Sequence, residues 1–142
     1  DDDDVSGTGF YCRPRTIIQF NERGLNGTLP WELSLFSDLY FLRVYDNALF
    51  GTLPTELGRL SGLGNLNVGN NSLTGTLPTE LGSLQWLGQL IVSENNLVGT
   101  IPTELGGLTN IRLLSLHDNS LTGRVPTELG ALSALTWLDL ND

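Results

Sequence analysis

The chain has 142 residues, one domain by length, and a formal charge of −9, from sixteen acids against seven basic residues that are all Arg. Nucleic acid and anionic lipid both require a basic face to displace counterions, so this balance excludes them as partners. No apolar run approaches the ~18 residues of a membrane span, which excludes insertion within this segment.

The chain opens on Asp1–Asp4 and the small residues that follow, a solvated and frayed start. It has no Met and no signal-like apolar stretch at its beginning, and reads as a processed or excised segment. Cys12 is the single cysteine. It is therefore either a buried thiol or half of a bridge whose partner was removed.

From residue 16 onward one unit repeats. GTLPTELG stands at 51–58 and 75–82, with variants at 27–34, 99–106 and 123–130, always 24 residues apart. A fixed period of that size is the mark of a solenoid, in which each repeat touches only its neighbours. Within a unit, Leu42, Leu66, Leu90, Leu114 and Leu138 form one column, and Val44, Val68, Val92, Leu116 and Leu140 a second, two residues on. That spacing predicts a strand with one face buried. Asn47, Asn71, Asn95 and Asn119 follow at the bend, where a buried amide can bond the backbone of the adjacent coil. Leu49, Leu73, Leu97 and Leu121 re-enter the core. Gly51, Gly75, Gly99 and Gly123 then allow a backbone angle closed to other residues. Each PTEL segment predicts a short helix, with Pro at its start, Glu in its first turn and Gly at its end. The column Glu32, Glu56, Glu80, Glu104 and Glu128 is explained by that dipole placement more simply than by a calcium site.

The pattern L-x-x-L-x-L-x-x-N-x-L-x-G-x-I/L-P-x-x-L-G-x-L resembles the 24-residue plant-type leucine-rich repeat of receptor-kinase ectodomains, polygalacturonase-inhibiting proteins and similar algal and diatom proteins. The resemblance covers residues 16–142. It implies an α/β solenoid, a right-handed superhelix with a concave parallel sheet and short convex helices, built of about five repeats and a partial last one. Residues 9–20 look like the tail of the family's N-terminal cap, so residues 1–15 are set apart as an acidic, disordered start and a cap remnant. Cys12 falls in register with Phe36, Leu60, Leu84, Leu108 and Leu132, where a buried thiol fits without a partner. The sequence stops in mid-repeat at Trp137–Asp142, and an uncapped strand edge calls for more chain, another molecule or head-to-tail stacking.

Function is less legible. Neither His117 nor Cys12 has a local motif that would make it a catalytic base or nucleophile, and no Walker loop, zinc spacing or dinucleotide fingerprint is present. The expectation is a non-enzyme with no cofactor and no metal. The concave strand face is the default binding surface, with Tyr40, Phe41, Arg43, Tyr45, Asn67, Gln89, Glu94, His117 and Trp137 as its candidate ligand-binding residues. Tyr40, Phe41 and Tyr45 beside Arg43 have the composition of an interface hot spot or a sugar platform; alternatively they cover the end of the core. Trp31 and Trp86 read as packing or loop-covering residues. Glu22, Asp46, Asn70, Glu94, Asp118 and Asp142 form a nearly all-acidic rim. Two sequons, at Asn26 and Asn70, would accept glycan in a secreted chain.

The expected role is an extracellular or cell-surface recognition module for a protein, peptide or polysaccharide. One alternative is a structural solenoid that self-associates head to tail. Another is ice or surface binding through the ladders Thr28/Thr52/Thr76/Thr100 and Thr55/Thr79/Thr103/Thr127, with rungs about 4.8 Å apart. Some plant ice-binding proteins resemble this family.

Overall fold

The computed structural model describes residues 15–141. The acidic start, the cap remnant up to residue 14, Cys12 and Asp142 lie outside the described residues. Every coil makes the same circuit: a strand, a bend, a second strand and a short helix that returns the chain to the next coil. The first strands, β1 (Thr16–Gln19), β3 (Leu39–Arg43), β5 (Asn65–Asn67), β7 (Gln89–Ile91), β9 (Leu113–Ser115) and β11 (Trp137–Asp139), form a six-stranded parallel sheet in that order. Its register is the sequence period: Phe41, Asn65, Gln89, Leu113 and Trp137 face one another, as do Arg43, Asn67, Ile91, Ser115 and Asp139.

The second strands, β2 (Asn26–Thr28), β4 (Ala48–Thr52), β6 (Ser72–Gly75), β8 (Asn96–Thr100) and β10 (Ser120–Thr122), make a five-stranded parallel sheet along another side. Here the register is 22 residues, so Thr52 faces Thr74 and Thr100 faces Thr122. This corrects the expected Thr ladder, because Thr28, Thr52, Thr76 and Thr100 do not stand opposite one another. Each instead turns its methyl onto the next coil's glycine. A Cβ on Gly75 (φ 79°) would lie 2.8 Å from Thr52 Cγ2, and one on Gly99 (φ 84°) 3.0 Å from Thr76 Cγ2. The hydroxyls of the other Thr column are engaged too, with Thr55, Thr79, Thr103 and Thr127 each 3.3–3.4 Å from the neighbouring Glu carboxylate.

The expected helices form as 3-10 helices, at Trp31–Leu35, Thr55–Arg59, Thr79–Ser83, Thr103–Gly107 and Thr127–Ala131. Pro precedes each one in extended geometry, for example Pro78 at φ −64° and ψ 131°. Five residues between that Pro and the next core Leu leave room for little more than one turn, where the tighter helix is favoured. The helices stack closely through glycine. A Cβ on Gly82 would overlap the Glu104 carbonyl, and one on Gly58 or Gly106 would crowd Glu80 or Glu128.

Between these walls lies a single stack of Leu and Val. Leu42, Leu66, Leu90, Val68 and Val92 are fully buried, whereas Leu138 in the last coil is 44% exposed. Each full burial contributes roughly 1.5–3 kcal/mol. At the bend the Asn amides serve the backbone of two coils. Asn95 Oδ1 accepts from Leu73 N at 2.9 Å, and its Nδ2 donates to the carbonyls of Val68, Val92 and Ser93 at 3.1 Å. Asn71 and Asn119 repeat the arrangement. At each bend the backbone turns left-handed at a residue that is not glycine: Asp46, Asn70, Glu94 and Asp118, each just before its Asn, and Glu22 before Arg23 have φ of 47–55°. The acidic rim is thus also a line of tight turns.

Candidate functional site

The end of the six-stranded sheet where its strands begin carries a groove of about 470 Å³. Tyr40, Phe41 and Arg43 of β3 line it, as do Asn65, Gln89 and the loop residues Trp86, Asn110 and Arg112. Its floor holds Gly64 and Gly88, which stand in the column that carries Tyr40 in one coil and Arg112 in another. The missing side chain of Gly88 leaves the floor open, whereas that of Gly64 makes room for a neighbouring ring. The Tyr40 ring fills the space a Cβ on Gly64 would need.

One wall is a stack of rings and guanidinium groups. The Tyr40 and Phe41 centroids are 4.6 Å apart at 44°, Arg15 lies 3.9 Å over the Tyr40 ring, and Arg43 lies 4.4 Å over Phe41. Such cation–π contacts hold flexible Arg side chains in place at little cost. Arg43 is further fixed by its Nε, which donates to Asn65 Oδ1 at 3.0 Å. Asn65, only 3% exposed, in turn donates through Nδ2 to Gln89 Oε1, so a polar line crosses three strands. Facing this line stands Trp86, 70% exposed, on the loop ahead of β7. Half-buried Tyr40 and Phe41 and exposed Trp86, flanking an amide line that runs from buried Asn65 to exposed Gln89, form a surface that can stack on a flat group and hydrogen-bond its edges.

Four of the residues expected from sequence, Tyr40, Phe41, Arg43 and Gln89, come together here. Tyr45, Asn67, Glu94 and His117 lie toward the other end of the strands and do not line the groove. There Asn67 Oδ1 accepts from Gly69 N, and His117 Nδ1 sits 2.9 Å from Asp118 Oδ2. Trp137, exposed on β11, does not line the groove either, although its backbone N–H donates to the carbonyl of Arg112 at the groove's edge. Asn26 is exposed on β2; Asn70 is exposed as well, with Nδ2 donating to Asp46 Oδ1 at 2.6 Å. Sequence reasoning missed Asn65, Asn110 and Arg112 and set Trp86 aside. The available signal was the break in one column, where Gly64 and Gly88 give way to Arg112.

The leucine-rich repeat family model matches residues 62–84 and 110–132. Comparison with the curated proteins gives no match. Among solved structures, the chain is similar to a TDR receptor, with 37% identity and a TM-score of 0.80 over 82% of this chain and 20% of that one. It is similar to a chain of the Arabidopsis receptor kinase HAESA in complex with the peptide hormone IDA and the co-receptor SERK1, with 30% identity and a TM-score of 0.84 over 87% of this chain and 21% of that one. The BIR2 ectodomain from Arabidopsis thaliana is 30% identical, with a TM-score of 0.76 over 86% of this chain and 67% of that one. The chain thus spans about a fifth of the first two and two thirds of the third. The shared repeat, the two sheets and this identity across most of the BIR2 ectodomain show that the chain belongs to the plant-type leucine-rich repeat family.

Proposed function

We propose that the chain is a non-catalytic, extracellular recognition module that binds a segment of peptide or protein in the groove between Tyr40–Phe41 and Trp86. The observation that carries this reading is the groove itself: aromatic walls, a hydrogen-bonded amide line and a glycine floor on one open face. Support comes from similar chains that are ectodomains of receptor kinases, one of them in a complex with a peptide hormone and a co-receptor. Exposed Asn26 and Asn70 are compatible with glycan in that setting.

Display of a random peptide library against the immobilised chain tests the reading. Aromatic anchors at the centre of an interface typically contribute more than about 1–2 kcal/mol each. Phe41→Ala and Trp86→Ala should therefore each weaken a selected peptide about tenfold or more, while His117→Ala, outside the groove, leaves its affinity unchanged. Selected peptides whose binding ignores both substitutions would place recognition on another surface.

A further inference from the structure

The charge of the groove is opposite to that of the molecule. The chain carries −9, yet the groove is lined by Arg43 and Arg112 and by no acid. Glu22, Asp46, Glu94 and Asp118 stand beyond the other ends of the strands, Asp139 closes β11, and Asp38, which precedes β3, is taken by the Thr16 hydroxyl and does not line the groove. The field therefore runs along the strands, positive at the groove and negative at the rim. Neither Arg forms an ion pair among the described residues, where the one close pair is His117 with Asp118.

Both arginines are unspent, and Arg43 is anchored as well. Arg43 is held by Asn65 through Nε and by the face of Phe41, which leaves both of its terminal nitrogens without an acceptor among the described residues. The backbone of Arg112 is fixed because its carbonyl accepts from Thr136 N, Thr136 Oγ1 and Trp137 N, while its guanidinium meets no acceptor among the described residues. A guanidinium presents a planar fork suited to carboxylate. The floor offers little to a peptide backbone, since the Gly64 carbonyl accepts from Gly88 N and Gln89 N, and the Gly88 carbonyl from Arg112 N and Leu113 N. Selectivity must therefore reside in the side chains of the ligand.

Resting on the reading of this groove as a peptide site, we propose that it selects an acidic segment carrying two carboxylates about four residues apart, with a flat or apolar side chain between them. The spacing follows from the sheet. Arg43 belongs to β3, and Arg112 directly precedes β9, three strands away. Arg43 stands three residues further along its strand than the Arg112 column, but its guanidinium is drawn back over Phe41 and onto Asn65. The separation is therefore set mainly by three steps of about 4.8 Å, roughly 14 Å, which about four residues of extended peptide span at ~3.3 Å each. One carboxylate meets each Arg, and the intervening side chain lies over Gly64 and Gly88 between the ring wall and Trp86.

The test uses the intact 142-residue chain and two nonapeptide libraries, acetylated and amidated to remove terminal charge. One carries Glu at positions 3 and 7; the other carries Gln there; the remaining positions exclude charged residues. The expected result is enrichment from the Glu library, with the best sequence binding at least tenfold tighter than its Gln counterpart and weakening as salt rises. Arg43→Gln and Arg112→Gln should each erase most of that preference, whereas Arg124→Gln should leave it intact. Equal enrichment from both libraries, lost on Trp86→Ala, would overturn the acidic selection and leave the peptide reading standing. If neither library binds while an octamer of galacturonate does, both readings fall.

Discussion

A Cβ on Gly82 would overlap the carbonyl of Glu104, which belongs to backbone and cannot swing aside. Gly130, at the equivalent place in the last described helix, meets nothing within 4 Å. Overpacking of this kind costs about 1–3 kcal/mol. Gly82→Ala should therefore lower the unfolding free energy from urea titration by about that amount, and Gly130→Ala should leave it within a few tenths of a kcal/mol. The opposite sign is expected at Glu94, held at φ 54° with no side-chain partner among the described residues. A left-handed residue with a Cβ costs about 1–2 kcal/mol, part of which glycine loses again through the unfolded chain. Glu94→Gly should stabilise by roughly 0.5–1 kcal/mol in thermal melts, whereas Asn70→Gly, which gives up a tolerant residue and its bond to Asp46, should gain nothing. These turns were not legible beforehand. Glu carries no hint of a positive φ, and its charge alone gave the rim a sufficient explanation. The Gly51 column was legible, because a glycine repeated at a fixed place has few other reasons to be there.

At the level of the element, the bend is held by side chains more than by backbone. Removing the Asn95 amide strands the Leu73 N–H in a buried position. It also takes one donor each from the Val68, Val92 and Ser93 carbonyls, which keep Asn71 Nδ2, Asn119 Nδ2 and the Asn70 N–H respectively. An unsatisfied buried group costs about 1–3 kcal/mol, and the lost carbonyl bonds add to that, less what relaxation recovers. Asn95→Ala should destabilise by about 3 kcal/mol in denaturant titration, and Asn47→Ala, nearer the first coil and partly exposed, by about half as much. The six-stranded sheet could be read from sequence down to its facing pairs, because its register equals the repeat period. The five-stranded sheet could not. Its register of 22 is invisible to a sequence stacked in rows of 24, and the rows themselves invited the flat Thr ladder that the structure replaces with Thr–Gly locks.

For the whole molecule, contacts run only between adjacent coils, so stability is expected to be graded along the axis. The core side chains of the coils at Leu66 and Leu90 are fully buried, while Leu29 at one end and Leu138 at the other retain exposure. Amide hydrogen exchange should show the slowest protons in β5 and β7 and progressively faster ones toward β1 and β11. A protection pattern uniform from end to end would contradict the graded picture. The site has the same dependence on assembly. Its four sequence-predicted members lie on two strands, but Trp86, Asn110 and Arg112 come from loops two and three coils away, and no spacing rule announces that loops of different coils will meet.

The Thr–Gly and Glu–Gly locks give each inner 24-residue unit both halves of two joints, a projecting methyl or carbonyl on one side and a bare glycine on the other. A unit copied whole therefore fits between any two existing units without an adaptor. Array length becomes a quantity that duplication of a fixed stretch of coding sequence can change in a single step. Residues on the open face, which take no part in either joint, are left to vary unit by unit, so a lineage can lengthen the scaffold and rewrite what it recognises as two independent events.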